Sequence, residues 1–220
     1  EGTYLGGGHK IMNLTLSAAN PALFRYSKGH ISDLTIENPV FEGTFNCGGA
    51  LATYVMGGTI DNCHVTGNDL VFSGKDCGAL IGWVGLVPPS MGTTPSAFDN
   101  FKADSIRISN CSNRCHITST YQQSNANDQN SVAGVVAVIN ARHYVVTRCF
   151  NTGDITSTYR PKFQNDELCF AGVVGRGLLP NYPSEIPYCY NRGDITAHCG
   201  YLGGVAGFFN DEAGISTSTR

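Results

Sequence analysis

The chain has 220 residues, a formal net charge of −3, 14% charged residues and 41% hydrophobic ones. That balance excludes a disordered polymer and leaves no basic footprint for nucleic acid. No apolar run reaches the roughly 20 residues that a membrane span needs, and a secreted origin would require a leader removed from the chain.

In chain order, an aliphatic residue is followed three positions later by Leu or Cys six times. The pairs are Ile11/Leu14, Ile31/Leu34, Ile60/Cys63, Ile108/Cys111, Val146/Cys149 and Ile186/Cys189. Between them runs a Gly-rich block: Gly49-Ala50-Leu51-Ala52-Thr53, Gly78-Ala79-Leu80-Ile81-Gly82, Ala133-Gly134-Val135-Val136-Ala137, Ala171-Gly172-Val173-Val174-Gly175 and Gly203-Gly204-Val205-Ala206-Gly207. A second block, residues 111–121, superposes without gaps on 149–159, and Cys189 to Thr196 continues it. Such self-similarity marks a repeat architecture. Short segments rich in Val, Ile, Thr, Tyr and Phe, bounded by Gly, Asn, Asp and Pro, read as strands, and no stretch carries a long helical period. The expectation is an all-β solenoid, each unit stacked on the last, forming one domain over residues 1–220 and belonging to a longer protein.

The nine cysteines form no CxxC pair, so no metal site is expected. Cys63, Cys111, Cys149 and Cys189 share a column with Leu14 and Leu34, which is the behaviour of an inward packing position filled by a reduced thiol. Parallel neighbours about 4.8 Å apart are poorly placed for a ladder of disulfides. Cys47, Cys77, Cys169 and Cys199 fall outside that column, where isolated cross-links stay open.

Asn113, Asn151 and Asn191 form a polar column two residues later, suited to amides that hydrogen-bond along the stack. Asp154 and Asp194 are also in register, above His116 and Asn68. They read either as turn residues or as a weak candidate catalytic pair. Insertions fall at 85–104 and 177–187, and at 121–131 and 159–167. Aromatic residues beside Asn and Gln there make Tyr121, Tyr159 and Tyr182 candidates for stacking on a sugar, or else corner packing. Trp83, beside Val84, reads as core.

The blocks at 78–82 and 203–207, the segment Ile108-Ser109-Asn110-Cys111, the run 49–67 and the opening stretches 6–16 and 29–36 resemble the GLUG repeat of bacterial surface and secreted proteins. That repeat is also found in non-catalytic parts of immunoglobulin A peptidases and in adhesin-like proteins. Thr53 and Ala137 depart from it by replacing the motif's second Gly. The resemblance implies a right-handed parallel β-helix of about six rungs with loop insertions, displayed outside the cell or on its surface. None of the six histidines stands in a His-Glu-x-x-His setting, so the zinc-peptidase chemistry is absent from the chain. The expected function is a non-catalytic module for adhesion or spacing, without a cofactor, engaging glycans or host surface proteins. The alternative is a polysaccharide-cleaving enzyme, a lyase or glycoside hydrolase, since fold alone does not separate the two.

Overall fold

The computed structural model describes residues 2–86, 105–122, 129–141, 143–160, 168–178, 184–198 and 200–209. The six sequence pairs have a common local cause. The residue just before each Leu or Cys adopts a left-handed backbone: Asn13, Asp33, Asn62, Asn110, Arg148 and Tyr188, with φ between 49° and 59°. In a regular strand, residues i and i+3 point to opposite faces. One left-handed residue between them breaks the alternation, so Ile60 and Cys63, or Ile108 and Cys111, both turn inward and are buried. Asn and Asp tolerate that conformation best, because their short polar side chains can bond locally. They occupy four of the six positions.

Among the described residues every strand pairing is parallel. Three long strands, Thr3–Met12, Phe24–Glu37 and Ala52–Thr66, lie side by side, with Ile31 opposite Ile60 and Leu34 opposite Cys63. From Ala52–Thr66 the sheet continues two ways. One branch runs through Ile81–Gly85, Val136–Asn140, Val174–Gly177 and Ala206–Phe209. The other runs through Ile106–Ser109 and Ser112–Asn113 to Tyr144–Thr147, Phe150–Asn151 and Tyr190–Asn191. Together these twelve strands make one curled sheet. Three smaller sheets of four, five and two strands flank it, the four-stranded one joining Leu70–Phe72, Ile117–Ser119, Ile155–Ser157 and Ile195–Thr196.

This corrects the expected right-handed β-helix of about six repeating rungs. Among the described residues the fold is a single curled parallel sheet, a half-barrel, with separate small sheets. The physical reason lies in the early strands. With 10, 14 and 15 residues, they run on through irregularities such as the register shift between Ser27 and Lys28, and do not break into equal short segments. Close approach of backbones permits this continuity. At Gly58, with φ of 84°, a Cβ would collide with the carbonyl of Gly29 on the neighbouring strand.

The main core fills the concave side, with Ile36, Leu51, Ile60, Val65, Leu80, Ile108, Val136 and Phe170 among its members and Leu14 packed at its edge. The thiols of Cys63, Cys111, Cys149 and Cys189 each donate to the carbonyl two residues back, those of Asp61, Ser109, Thr147 and Pro187. A second cluster holds Cys47, Tyr54, Met56, Trp83, Ala137 and Val138, with the Trp83 indole N–H donating to the Leu86 carbonyl at 2.8 Å.

All eight described cysteines are free thiols, and seven of them are buried. Disulfides form and persist in oxidising compartments. Free thiols on this scale correct the extracellular or cell-surface location expected from the sequence, and are more typical of a reducing compartment.

Candidate active site

Across the curled sheet, alternate side chains of neighbouring strands point away from the core and line up. His64 lies opposite Ser112, Ser112 opposite Phe150, and Phe150 opposite Tyr190. Two residues further along each strand stand Arg114 and Arg192. Two further again stand His116, Asp154 and Asp194, each just before the aligned Ile117, Ile155 and Ile195. The result is a polar and aromatic panel on the convex side.

Beneath it, Asn113, Asn151 and Asn191 form an amide ladder. Asn113 Nδ2 donates to Asn151 Oδ1 and Asn151 Nδ2 to Asn191 Oδ1, each at 2.7 Å. Their second N–H groups reach the carbonyls of Cys115, Gly153 and Gly193. A buried amide is tolerated only with its donors and acceptor engaged, and this ladder pins the turn that carries the outward residues 114–116, 152–154 and 192–194.

At one end of the panel a relay crosses three strands. Ser112 Oγ lies 2.8 Å from His64 Nδ1, His64 Nε2 lies 2.9 Å from Asn62 Oδ1, and Asn62 Nδ2 donates to Asp33 Oδ1 at 2.8 Å. Ser32 Oγ donates to the other carboxylate oxygen at 2.8 Å. With Ser112 donating and the His64 Nε2–H donating, every bond in the chain has a consistent direction. Burial holds the His64 pKa below its usual value, and the nearby Arg114 cation lowers it further. Hydrogen bonds from Asn62 and Ser32 lower that of Asp33. Beside the relay, Asp61 Oδ1 accepts from Ser109 Oγ at 2.7 Å and from Asn110 Nδ2 at 2.8 Å. Ser112 is fully shielded from solvent, so the relay orients groups and moves no substrate of its own.

The open end differs. His116 Nδ1 accepts from the Asp154 backbone N–H at 3.0 Å and lies 3.3 Å from Asp154 Oδ2, with both side chains about half exposed. The Asp194 backbone N–H donates to Asp154 Oδ1 at 2.9 Å. Asp154 Oδ1 is thus held, and the histidine's Nε2, which carries the ring proton while Nδ1 accepts, is the nitrogen left toward solvent. Between the two ends, the Phe150 and Tyr190 rings stack at 5.0 Å and 1°. The Arg114 guanidinium sits over the Phe150 ring at 5.6 Å and that of Arg192 over Tyr190 at 5.3 Å.

Of the residues expected from sequence, Asp154 and Asp194 are therefore adjacent, with His116 as a third member. Tyr121 and Tyr159 are buried, at 7% and 2% exposure, and present no ring face to solvent. Tyr182 lies outside the described residues. The relay of Asp33, Asn62, His64 and Ser112 went unread in the sequence. Its one signal was the Asn or Asp before four of the six Leu or Cys positions, while the 48 residues between His64 and Ser112 conceal their contact. This network of His, Ser, Asp and Asn contacts argues for a catalytic centre, and corrects the expectations of a non-catalytic adhesion or spacing module and of a chain that is not an enzyme.

Among the described residues no group of three or more His, Cys, Asp or Glu side chains is placed to hold a metal ion, and no helix is long and apolar enough to cross a membrane. No family model matches the chain, and neither a curated protein nor a solved structure matches it. The resemblance to the GLUG repeat and to immunoglobulin A peptidase relatives is accordingly not upheld, and the panel's own chemistry is what speaks for function.

Proposed function

We propose that the chain is a polysaccharide-cleaving enzyme acting on an acidic glycan by elimination, with His116 and Asp154 as its acid–base pair. The observation that carries this reading is the solvent-open His116–Asp154 contact at 3.3 Å beside the ringed arginines. A histidine beside a carboxylate, with its second nitrogen outward, is a pair able to take up one proton and deliver another. The Phe150–Tyr190 stack offers apolar faces to a sugar ring, and Arg114 and Arg192 offer forked donors to a uronate carboxylate. Neutralising that carboxylate acidifies the C5–H bond next to it. Asp154 Oδ2 takes the C5 proton, the C4–O bond breaks, a C4=C5 double bond forms, and the outward His116 Nε2–H protonates the departing oxygen. The proton on Asp154 then passes to the adjacent His116 Nδ1, 3.3 Å away. Asp194 stands beside the pair. The relay and the Asn ladder hold the panel in one geometry, which is the condition for such groups to act.

The test is incubation of the full chain with acidic polysaccharides, such as polygalacturonate and alginate, and with neutral ones, such as xylan and starch. Reducing ends and the ultraviolet absorbance of unsaturated sugars are both read. The expected result is unsaturated product from an acidic polymer alone, falling about 100-fold in His116→Ala and Asp154→Asn with the circular dichroism spectrum unchanged. Absence of product from every polymer, or full activity in His116→Ala, would overturn the reading. Saturated reducing ends would replace elimination by hydrolysis.

A further inference from the structure

A separate cavity lies beside the second hydrophobic cluster, at the strand entry around Ala52. Its volume is about 250 Å³, and Arg25, Thr44, Asn46, Cys47, Thr53 and Tyr54 contribute to its lining. At about 30 Å³ per water it has room for on the order of eight waters, the space of one sugar ring and not of an oligosaccharide. Arg25 is the only charged side chain in its lining, and it is exposed. Thr53, in the wall, is 1% exposed and its hydroxyl has no hydrogen-bond partner. A buried hydroxyl without a partner is uncommon in a native structure and calls for an explanation. Two rings, Phe45 and Tyr54, line the same space; Tyr54 stacks on Tyr26 at 5.3 Å, and the Arg25 guanidinium lies 5.8 Å from the Tyr26 centroid.

We propose that this cavity binds a single acidic sugar, a hexuronate, with its carboxylate on Arg25 and its hydroxyls on Thr44, Asn46 and Thr53. The combination of one cation, several neutral hydrogen-bonding groups, an aromatic wall and no lining carboxylate fits a ligand with one negative charge and many hydroxyls. Small polar ligands are fixed in this way by a few placed groups in a concave site. The choice of a uronate rests on the acidic-glycan reading above. The cavity is distinct from the His116 panel, so that binding here and cleavage there are measured separately.

The experiment is titration calorimetry of the full chain with galacturonate, with galactose as the neutral counterpart, and with a galacturonate trisaccharide to separate free sugar from a chain end. Saturable binding of galacturonate, at least tenfold tighter than galactose, is expected. Arg25→Gln should abolish that preference. Thr53→Val should weaken galacturonate binding several-fold while the fold persists. Binding by the trisaccharide but not by free galacturonate overturns the single-sugar assignment. So does an absence of saturable galacturonate binding, or binding unaffected by both substitutions. The cleavage assay reports independently, so loss of cleavage with binding retained rejects the panel reading alone, and the converse rejects the cavity alone.

Discussion

His64 Nδ1 and Ser112 Oγ lie 2.8 Å apart although 48 residues separate them in the chain. The contact exists because strand pairing sets Ser112 directly opposite His64, and burial there keeps the imidazole neutral over a wider pH range than in water. The lowered pKa means that the unfolded chain binds a proton more readily than the folded one. The stability from this site is present above about pH 6.5, the usual histidine value, and is lost as pH falls through the lower folded value. His64→Gln retains a donor and an acceptor. Its urea midpoint is expected to fall less than that of the wild-type chain between pH 7 and pH 5.

Asp76 acts in the opposite direction. It is buried, and Arg176 Nη2 stands 3.7 Å away. Burial raises its pKa to about 6, against the lowering pull of Arg176. The folded chain therefore holds this proton more tightly than the unfolded one. Its contribution is fully present below about pH 3.9, the free carboxyl value, and disappears as pH rises through about 6. Comparing urea midpoints from pH 4 to pH 7, Asp76→Asn should remove that decline, and a wild-type slope left intact in the variant would refute it.

Asn151 sits at the middle of the amide ladder with no solvent exposure. Asn151→Ala deletes its bonds to Asn113, Asn191 and Gly153 and strands buried polar groups on both sides. At about 1–3 kcal/mol for each group left unsatisfied, a loss of roughly 3 kcal/mol in equilibrium unfolding is expected. Asn191→Ala, at the half-buried end of the ladder, should cost less than half as much.

At Gly193 a Cβ would collide with the carbonyl of Gly153 in the unit below. Gly193→Ala should therefore separate the turns that bring Asp154 and Asp194 together, destabilising by about 1–3 kcal/mol and lowering cleavage more than it lowers circular dichroism signal. Equal activity in the variant would show that the turn spacing is not needed by the panel.

The buried thiols offer a check on the core. Burial pushes the Cys111 thiol well above its ordinary range and that of Cys115 up to about 12. Reaction with a water-soluble disulfide reagent at pH 8 should be negligible for the native chain at these positions and complete in denaturant. Rapid native labelling at Cys111, mapped by mass spectrometry, would place that column outside the core.

The parallel stacking of like segments was legible because it rests on local chemistry. Ile117, Ile155 and Ile195 stand in the register that the gap-free overlap of 111–121 with 149–159 predicts, and Asn113, Asn151 and Asn191 join as their spacing suggested. Asp154 and Asp194 lie next to one another for the same reason. Tyr121 and Tyr159 were placed from the composition of neighbouring loops, which does not say which way a ring turns, and both lie buried.

By itself the sequence determined an all-β chain, an inward column of Leu and Cys, and the shared register of Asp154 and Asp194. Hydrophobic spacing and residue-level backbone preference act over a few positions and repeat, so they can be read directly. Only the tertiary structure decided that the early strands run continuous and curl into one sheet. It alone brought His64 to Ser112 and Asn62, and His116 to Asp154. Those contacts cross strands separated by insertions, and it is strand register and burial, not sequence distance, that sets which polar groups meet.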